Sequence, residues 1–132
     1  MDQNPATVSP PPPRDPAAVI KHYHAHIYYD PASRERAARL RERMAARFPD
    51  AVIGGWHDVP VGPHSQAMYQ VAFQPPLLAS FLPWLMLNRD GLTILVHPGT
   101  GNGYADHTKH AVWLGAVLPV RLDAFRDAPK GG

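Results

Sequence analysis

Three histidines alternate in the stretch KHYHAHIYYD, at positions 22, 24 and 26, and their spacing points directly to chemistry. Side chains two positions apart on a β-strand project from the same face of the sheet. Neutral imidazole binds zinc, iron, copper and nickel, so a His-x-His pair on one strand is a frequent way to hold a divalent metal. The alternative is that these histidines are solvated side chains on an open sheet face.

Two further histidines favour the metal interpretation. His97 ends the apolar stretch LTILVHP, and His64 lies in the loop that enters the alternating stretch QAMYQVAF. If these stretches are neighbouring strands, their imidazoles converge with His24 and His26. His22, at the start of its strand, is expected to be exposed.

Composition limits the chemistry that the chain can perform. The 132 residues, 45% of them hydrophobic, suffice for one domain with a core. The chain has no cysteine, which excludes disulfides, thiolate ligands and a cysteine nucleophile. The net charge of +2 comes largely from arginines in 34–47, where Glu35 and Glu42 interrupt them, so a solvated helix face is favoured over a nucleic-acid patch. Without an apolar leader or membrane span, a cytoplasmic protein that binds no membrane is expected.

The ends of the chain are predicted to lie outside the fold. Residues 1–18 contain six prolines and few large apolar side chains, which indicates a disordered, proline-rich arm. The polar residues 126–132 read as a flexible tail. The predicted domain is therefore 19–125.

The hydrophobic period changes along this domain and predicts alternating strands and helices. Strands are predicted at 22–29, 51–59, 66–73, 92–98 and 111–120, and helices at 31–48 and 75–91. This βαββαβ order with an appended C-terminal strand predicts an α+β, ferredoxin-like sheet in the strand order 4-1-3-2, with both helices on one face.

Period two then assigns each side chain of the strands to a face. The apolar set of the first strand, which includes Ala25 and Ile27, should meet the helices, so the histidines face away from them. His97 on the fourth strand, and Met68 and Gln70 on the third, should share the histidine face. Such an open face is expected to pair with a second subunit or to be roofed by the C-terminal segment, and we expect a homodimer.

The stretches YHAHIYYD, VGPHSQAMYQVAF and FLPWLMLNRDGLTILVHPGTGNGYADHTKHAVWLG resemble the DOPA 4,5-dioxygenase family over residues 22 to about 118. The resemblance implies a ferredoxin-like domain, usually dimeric, that performs extradiol cleavage of a catechol with non-haem iron(II) and dioxygen. It also implies that the family's histidines correspond to His24, His26, His64, His97 and His107 in this chain.

Extradiol chemistry needs iron(II) with open positions for catecholate and dioxygen, so three protein ligands are expected. The usual set is two histidines and one carboxylate, but no Asp or Glu falls on the predicted face, where Gln70 stands instead. A site of His26, His64 and His97 is therefore the first choice. His24 or His107 would then act as the acid–base catalyst, although His107 can equally be a solvated turn residue.

Three residues are candidates for contacting the substrate. Tyr28 can stack on an aromatic ring, Gln70 lies on the histidine face, and Arg89 can pair with the carboxylate of a substrate such as DOPA. Packing is the alternative for Tyr28, and binding the last carbonyls of its own helix is the alternative for Arg89.

Two other classes of function compete with the dioxygenase. The same histidines can make a non-catalytic metal- or ligand-binding protein, and zinc fits three imidazoles well enough to be present in a purified sample. An RNA-binding module is disfavoured, because the open face lacks exposed aromatics in a basic setting. We expect no nucleic-acid partner.

Overall fold

The computed structural model describes residues 9–125. The strands are β1 (His22–Tyr29), β2 (Val52–Ile53), β3 (Ala67–Phe73), β4 (Ile94–Gly99) and β5 (Val112–Leu114). The α-helices are α1 (Pro16–Val19), α2 (Arg34–Arg47), α3 (Leu78–Asn88) and α4 (Gly103–His107). Two 3-10 helices, Pro75–Leu77 and Leu122–Phe125, complete the regular structure.

The five strands form one sheet in the order β2-β3-β1-β4-β5, in which every neighbouring pair is antiparallel. This arrangement confirms the α+β, ferredoxin-like fold and the predicted strand order, with β5 added at the edge beside β4. β1 is the central strand. His24 lies opposite His97 on β4, and His26 lies between Gln70 on β3 and Leu95 on β4.

The main apolar core lies between the sheet and the helices α2 and α3. Ala25, Ile27 and Tyr29 of β1 join it together with Ile94 and Val96 of β4. The helices contribute buried side chains at helical spacing, which are Ala37, Leu40 and Met44 of α2 and Phe81 and Leu85 of α3. The predicted assignment of side chains to this face is confirmed.

A second, smaller cluster lies on the opposite face. It consists of Tyr28, Met68 and Leu95, and the C-terminal segment packs over it. The roofing residues are Ala111, Trp113 and Leu118. A bridge between His64 and Val120 fastens this segment to the loop before β3. The roof therefore comes from the chain itself.

Two strands are shorter than predicted, each for a reason visible in the backbone. β2 stops at Ile53 because Gly54 and Gly55 follow it, and pairing with β3 resumes only at a bridge between His57 and Met68. β5 stops at Leu114 because Gly115 adopts φ +85°, a left-handed conformation that ends the strand.

The remaining differences concern helices and the chain ends. α2 begins at Arg34 after a turn at Pro31–Ser33, three residues later than predicted, and Pro83 lies inside α3. Part of the predicted arm, residues 1–8, and the tail 126–132 lie outside the described residues. The rest of that arm includes the helical turn α1, which Asp15 caps by accepting from the backbone of Ala17. In the described part of the chain, none of the helices is long and apolar enough to cross a membrane.

Candidate metal centre

Four histidines from four separate segments meet beneath the C-terminal roof. His26 comes from β1, His64 from the loop before β3, His97 from β4 and His107 from α4. Their exposed fractions are 2%, 6%, 1% and 4% in that order. The ring centroids of His97 and His107 are 3.9 Å apart, and those of His26 and His64 are 4.1 Å apart. The sheet and its roof thus bring these imidazoles together in a buried cluster.

Two groups of three histidines have ring nitrogens close enough to hold one metal ion. One group is His24, His26 and His97, and the other is His26, His64 and His107. Within each group the candidate ligand atoms lie within 4.8 Å of one another. His26 belongs to both groups and therefore stands at the centre of the cluster. The predicted ligands His26, His64 and His97 are not themselves one of these groups. His26 and His97 belong to the first group, and His26 and His64 belong to the second.

Backbone carbonyls orient two of these rings. His97 donates from Nδ1 to the carbonyl of Pro98 at 2.9 Å, and His107 donates from Nδ1 to the carbonyl of Gly103 at 2.8 Å. A carbonyl oxygen only accepts, so in the neutral rings the proton sits on Nδ1 and Nε2 keeps its lone pair. Histidines that bind metals usually hold their other ring nitrogen in this way.

His26 is the least satisfied ring of the cluster. Its Nε2 lies 3.0 Å from Nε2 of His97, and its buried Nδ1 has no hydrogen-bond partner among the described residues. Two neighbouring ligands of an octahedral ion, each at about 2.1 Å, are separated by about 3.0 Å, and those of a tetrahedral ion by about 3.4 Å. The spacing of His26 and His97 therefore fits two ligands of one ion.

Tyr28 holds the fourth ring. Its hydroxyl oxygen lies 2.6 Å from Nδ1 of His64, and the two groups share a hydrogen bond. Burial raises the pKa of Tyr28 above its usual range, so the hydroxyl stays protonated. Trp113 of the roof stacks on the Tyr28 ring at 5.9 Å between centroids. Tyr28, predicted to stack on a substrate, thus also supports a histidine.

The cluster is uncharged near neutral pH. Burial, followed by repulsion from neighbouring imidazoles, lowers the pKa of His24 and of His64 to about 4 and that of His97 to about 3. The same causes lower the pKa of His26 well below its usual range, and burial lowers that of His107. Neutral imidazoles are the form that binds a metal ion.

The short helix α4 delivers His107, and a buried carboxylate fixes that helix. Asp106 is fully buried and accepts from the backbone N–H and the hydroxyl of Thr100, at 2.9 Å and 2.6 Å. Asn102 caps the helix by accepting from the backbone of Ala105 at 3.1 Å. Neither α4 nor the role of Asp106 was predicted. An asparagine followed by an acidic residue in the first turn is the signal that the sequence offered.

The sequence profile of the DOPA 4,5-dioxygenase family matches residues 23–124. The chain belongs to the DOPA 4,5-dioxygenase family. The match covers most of the sheet and all of the histidine cluster, and it confirms the resemblance found in the sequence.

Individual relatives agree with this family assignment. A chain from Nostoc punctiforme, whose crystal structure is described as that of a "putative dioxygenase", is 49% identical and superposes with a TM-score of 0.83, covering 86% of this chain and 97% of that one. A DOPA 4,5-dioxygenase of Amanita muscaria is 32% identical over 78% of this chain, and an uncharacterized 21.2 kDa protein of Botryotinia fuckeliana is 37% identical over 79%. This family member spans only 49% and 63% of the lengths of those two fungal relatives.

The remaining predicted site residues differ in their distance from the histidine cluster. His24 and Gln70 are half-buried on the same face as the cluster, at the end that the roof leaves open. Arg89 lies at the end of α3 and donates to the carbonyl of Leu92 at 2.8 Å. Leu92 is five residues from His97, roughly 16 Å along the strand direction. The structure therefore does not bring Arg89 to the histidines. The carbonyl that it contacts belongs to Leu92, beyond the end of α3, and is not one of the last carbonyls of its own helix.

Proposed function

We propose that this protein is a non-haem iron(II)-dependent dioxygenase that opens the ring of a catechol at an extradiol bond. The observation that carries the proposal is the buried, uncharged histidine cluster, in which carbonyls or a hydroxyl hold Nδ1 of three rings. Membership of the DOPA 4,5-dioxygenase family supports the reaction type, and a catechol such as DOPA is the proposed substrate.

The donor set suits the cofactor. We assign His26, His64 and His97 as the ligands, which leaves half of an octahedral coordination sphere for substrates. Iron(II), when bound, would hold catecholate and dioxygen at adjacent positions and pass electrons from the catecholate to dioxygen. In the overall reaction one ring C–C bond beside a hydroxyl breaks, both oxygen atoms enter the semialdehyde product, and no external reductant is consumed.

The chain's own residues position the substrate and move its protons. His24 lies beside the cluster at the open end, with its ring centroid 5.2 Å from that of His97, so its imidazole is placed to accept a hydroxyl proton from the catechol and return it to the product. His107 is the second candidate for this role, because it lies outside the assigned ligand set and its ring centroid is 3.9 Å from that of the ligand His97. Gln70, opposite His26, offers both an amide donor and an acceptor to the catechol oxygens.

The proposal is tested by anaerobic loading with iron(II), followed by mixing with DOPA, caffeate or protocatechuate in air. A yellow ring-opened semialdehyde is expected from at least one catechol, and its formation should be lost in His97→Ala. His57→Ala is the matched control, since His57 is exposed and belongs to neither histidine group. Product formation that survives His97→Ala would contradict the proposed site.

A metal-binding protein without catalysis is the second candidate. Both ligand groups consist of histidines alone, and three imidazoles hold zinc as well as iron. Stoichiometric iron with no product from any catechol would favour this candidate over the dioxygenase.

We also propose a homodimer. The half of the histidine face that carries His24 lacks the roof, and Val52, 68% exposed, belongs to the same face through its pairing with Ala72. A second subunit would cover these side chains. A monomeric mass by light scattering at micromolar concentration would contradict the dimer.

A further inference from the structure

A cavity of about 390 Å³ lies on the helix side of the sheet, where β1 begins and β4 ends. Tyr23 and Val96 belong to the side-chain set that packs against the helices, so the cavity lies on the face opposite the histidine cluster. His97 also lines it, between Val96 and Pro98, although its side chain belongs to the histidine face through its pairing with His24. The apolar walls come from α1 and the residue after it, from α3 and from the two strands, namely Val19, Ile20, Tyr23, Leu78, Leu82 and Val96. Its volume is within the range of small-molecule pockets.

The cavity exists because the sheet loses a strand at this corner. β5 pairs with β4 only as far as Val96, opposite Val112, so β5 does not cover the last residues of β4. The segment before β1 lines the cavity, and its last residue, Lys21, donates from its backbone to Gly99 at 3.0 Å, which extends the pairing of β1 with β4. The match to the family profile begins only at residue 23, so Val19 and Ile20 are walls that the profile does not cover.

Polar groups at the cavity define what its occupant must carry. The exposed Arg14 contributes a guanidinium and His110 an imidazole, whereas Thr100 already donates its backbone N–H and its hydroxyl to Asp106. A guanidinium beside apolar walls suits a ligand with an apolar body and one carboxylate, which arginine binds through two parallel hydrogen bonds. Tyr23, stacked on Phe73 at 5.5 Å, adds a flat aromatic surface suited to a ring.

We propose that this cavity is a second ligand site, separate from the histidine cluster, that binds a small aromatic carboxylate. Its ring lies among the apolar side chains, and its carboxylate meets Arg14. The site backs onto the candidate metal centre, because Pro98 lines the cavity and its carbonyl holds Nδ1 of His97. A ligand bound in the cavity can therefore affect the His97 ring through Pro98.

The proposal is tested with the full chain, stripped of metal by a chelator, so that a carboxylate cannot bind an ion at the histidines. The probe is 3-phenylpropionate, and 3-phenylpropanol is the uncharged comparison. Calorimetry or saturation-transfer NMR should show millimolar or tighter binding of the carboxylate. Arg14→Gln should weaken it about fivefold and leave the alcohol unchanged. Arg43→Gln, an exposed arginine on α2, is the matched control and should change neither.

Variants that fill the cavity test whether the two compounds bind there or elsewhere on the protein. Val19→Trp places an indole where the ring would lie and should abolish binding of both compounds. Leu82→Trp is the second filling variant, and circular dichroism establishes that each variant folds. His26→Ala should leave binding intact. No binding at 10 mM, binding that survives both filling variants, or binding lost in His26→Ala would overturn the proposal. The assay involves no ring cleavage, so its outcome is independent of the proposed dioxygenase activity.

Discussion

The same strands place apolar side chains on one face of the sheet and histidines on the other. On the helix side, Ala25 and Ile27 are fully buried among aliphatic and aromatic side chains and make no demand for polar partners. On the other side, His26 and His97 are as deeply buried, although burial works against their charged forms, and their Nε2 atoms lie 3.0 Å from each other. Burying such groups costs free energy. The first face stabilises the fold, and the second is explained by a ligand that it must bind.

The largest expected change in the free energy of unfolding is that of a core substitution on the helix side. Phe81 is fully buried, with ring centroids 4.9 Å from Phe48 and 4.7 Å from Phe73. Phe81→Ala should lower the free energy of unfolding by about 3–5 kcal/mol in urea titrations, because it leaves a cavity in the core. The iron stoichiometry of the folded protein should not change. Leu87→Ala, at a side chain that is 86% exposed, is the control and should stay within about 0.5 kcal/mol.

Acid should destabilise the metal-free protein through the histidine side alone. Unfolded histidines take up protons near pH 6.5, whereas the folded pKa is about 4 for His64 and about 3 for His97. Between these values the unfolded state binds more protons, so stability is retained above pH 6.5 and falls as pH drops. The slope is about 1.4 kcal/mol per pH unit for each histidine that stays neutral in the fold. A free energy of unfolding that is flat between pH 7 and pH 5 would contradict the burial of neutral imidazoles.

Asp106 is a buried polar group whose partners are supplied, in contrast to His26. Asp106→Ala removes both acceptors of Thr100 and should lower the free energy of unfolding by about 1–3 kcal/mol. Because α4 holds the His107 ring 3.9 Å from the ring of the proposed ligand His97, affinity for a metal should also fall by about 10- to 100-fold. Asp123→Ala, at an exposed carboxylate, should do neither. Unchanged metal affinity in Asp106→Ala would mean that α4 does not support the metal ligands.

The smallest expected effect is a difference in metal affinity between substitutions of Tyr28 and Tyr23, which lie on opposite faces of β1. Tyr28→Phe removes the hydroxyl that holds His64 and should weaken metal binding about tenfold, with a loss of stability near 1 kcal/mol. Tyr23→Phe, on the helix side of the same strand, should leave metal affinity unchanged. Equal effects of the two substitutions in a metal titration would break the distinction between the faces.

The sequence predicted the sheet well because period two governs long strands. The alternation in 22–29 assigned His24 and His26 to one face, and the apolar stretch before His97 placed a third histidine beside them. Short elements were predicted less well. β2 and β5 contain two and three residues, and glycines end them before alternation can be recognised.

The part of the site that local patterns did not predict depends on tertiary contacts. His107 was placed in a loop, because five residues are too few for a helical period, and α4 depends on the contact between Asp106 and Thr100. Arg89 was a candidate by charge alone, and the sequence does not say that its side chain contacts the carbonyl of Leu92, roughly 16 Å from His97 along the strand direction. The roof of Ala111, Trp113 and Leu118 was expected as one of two alternatives and is found over Tyr28, Met68 and Leu95, while the second subunit stays a proposal for the rest of the face.

The central claim is that the histidine face is a metal centre, and an anaerobic titration with iron(II) tests it most directly. His26 is the subject of this test, because it belongs to both ligand groups. We expect the unmodified protein to bind one iron(II) ion per chain. His26→Leu should bind none at iron(II) concentrations below millimolar. Metal-free His26→Leu should keep its free energy of unfolding at pH 7 to within about 1 kcal/mol, since the substitution removes the unpaired Nδ1 of His26 but also takes away the partner of Nε2 of His97. Binding of equal affinity and stoichiometry in both proteins would contradict the account.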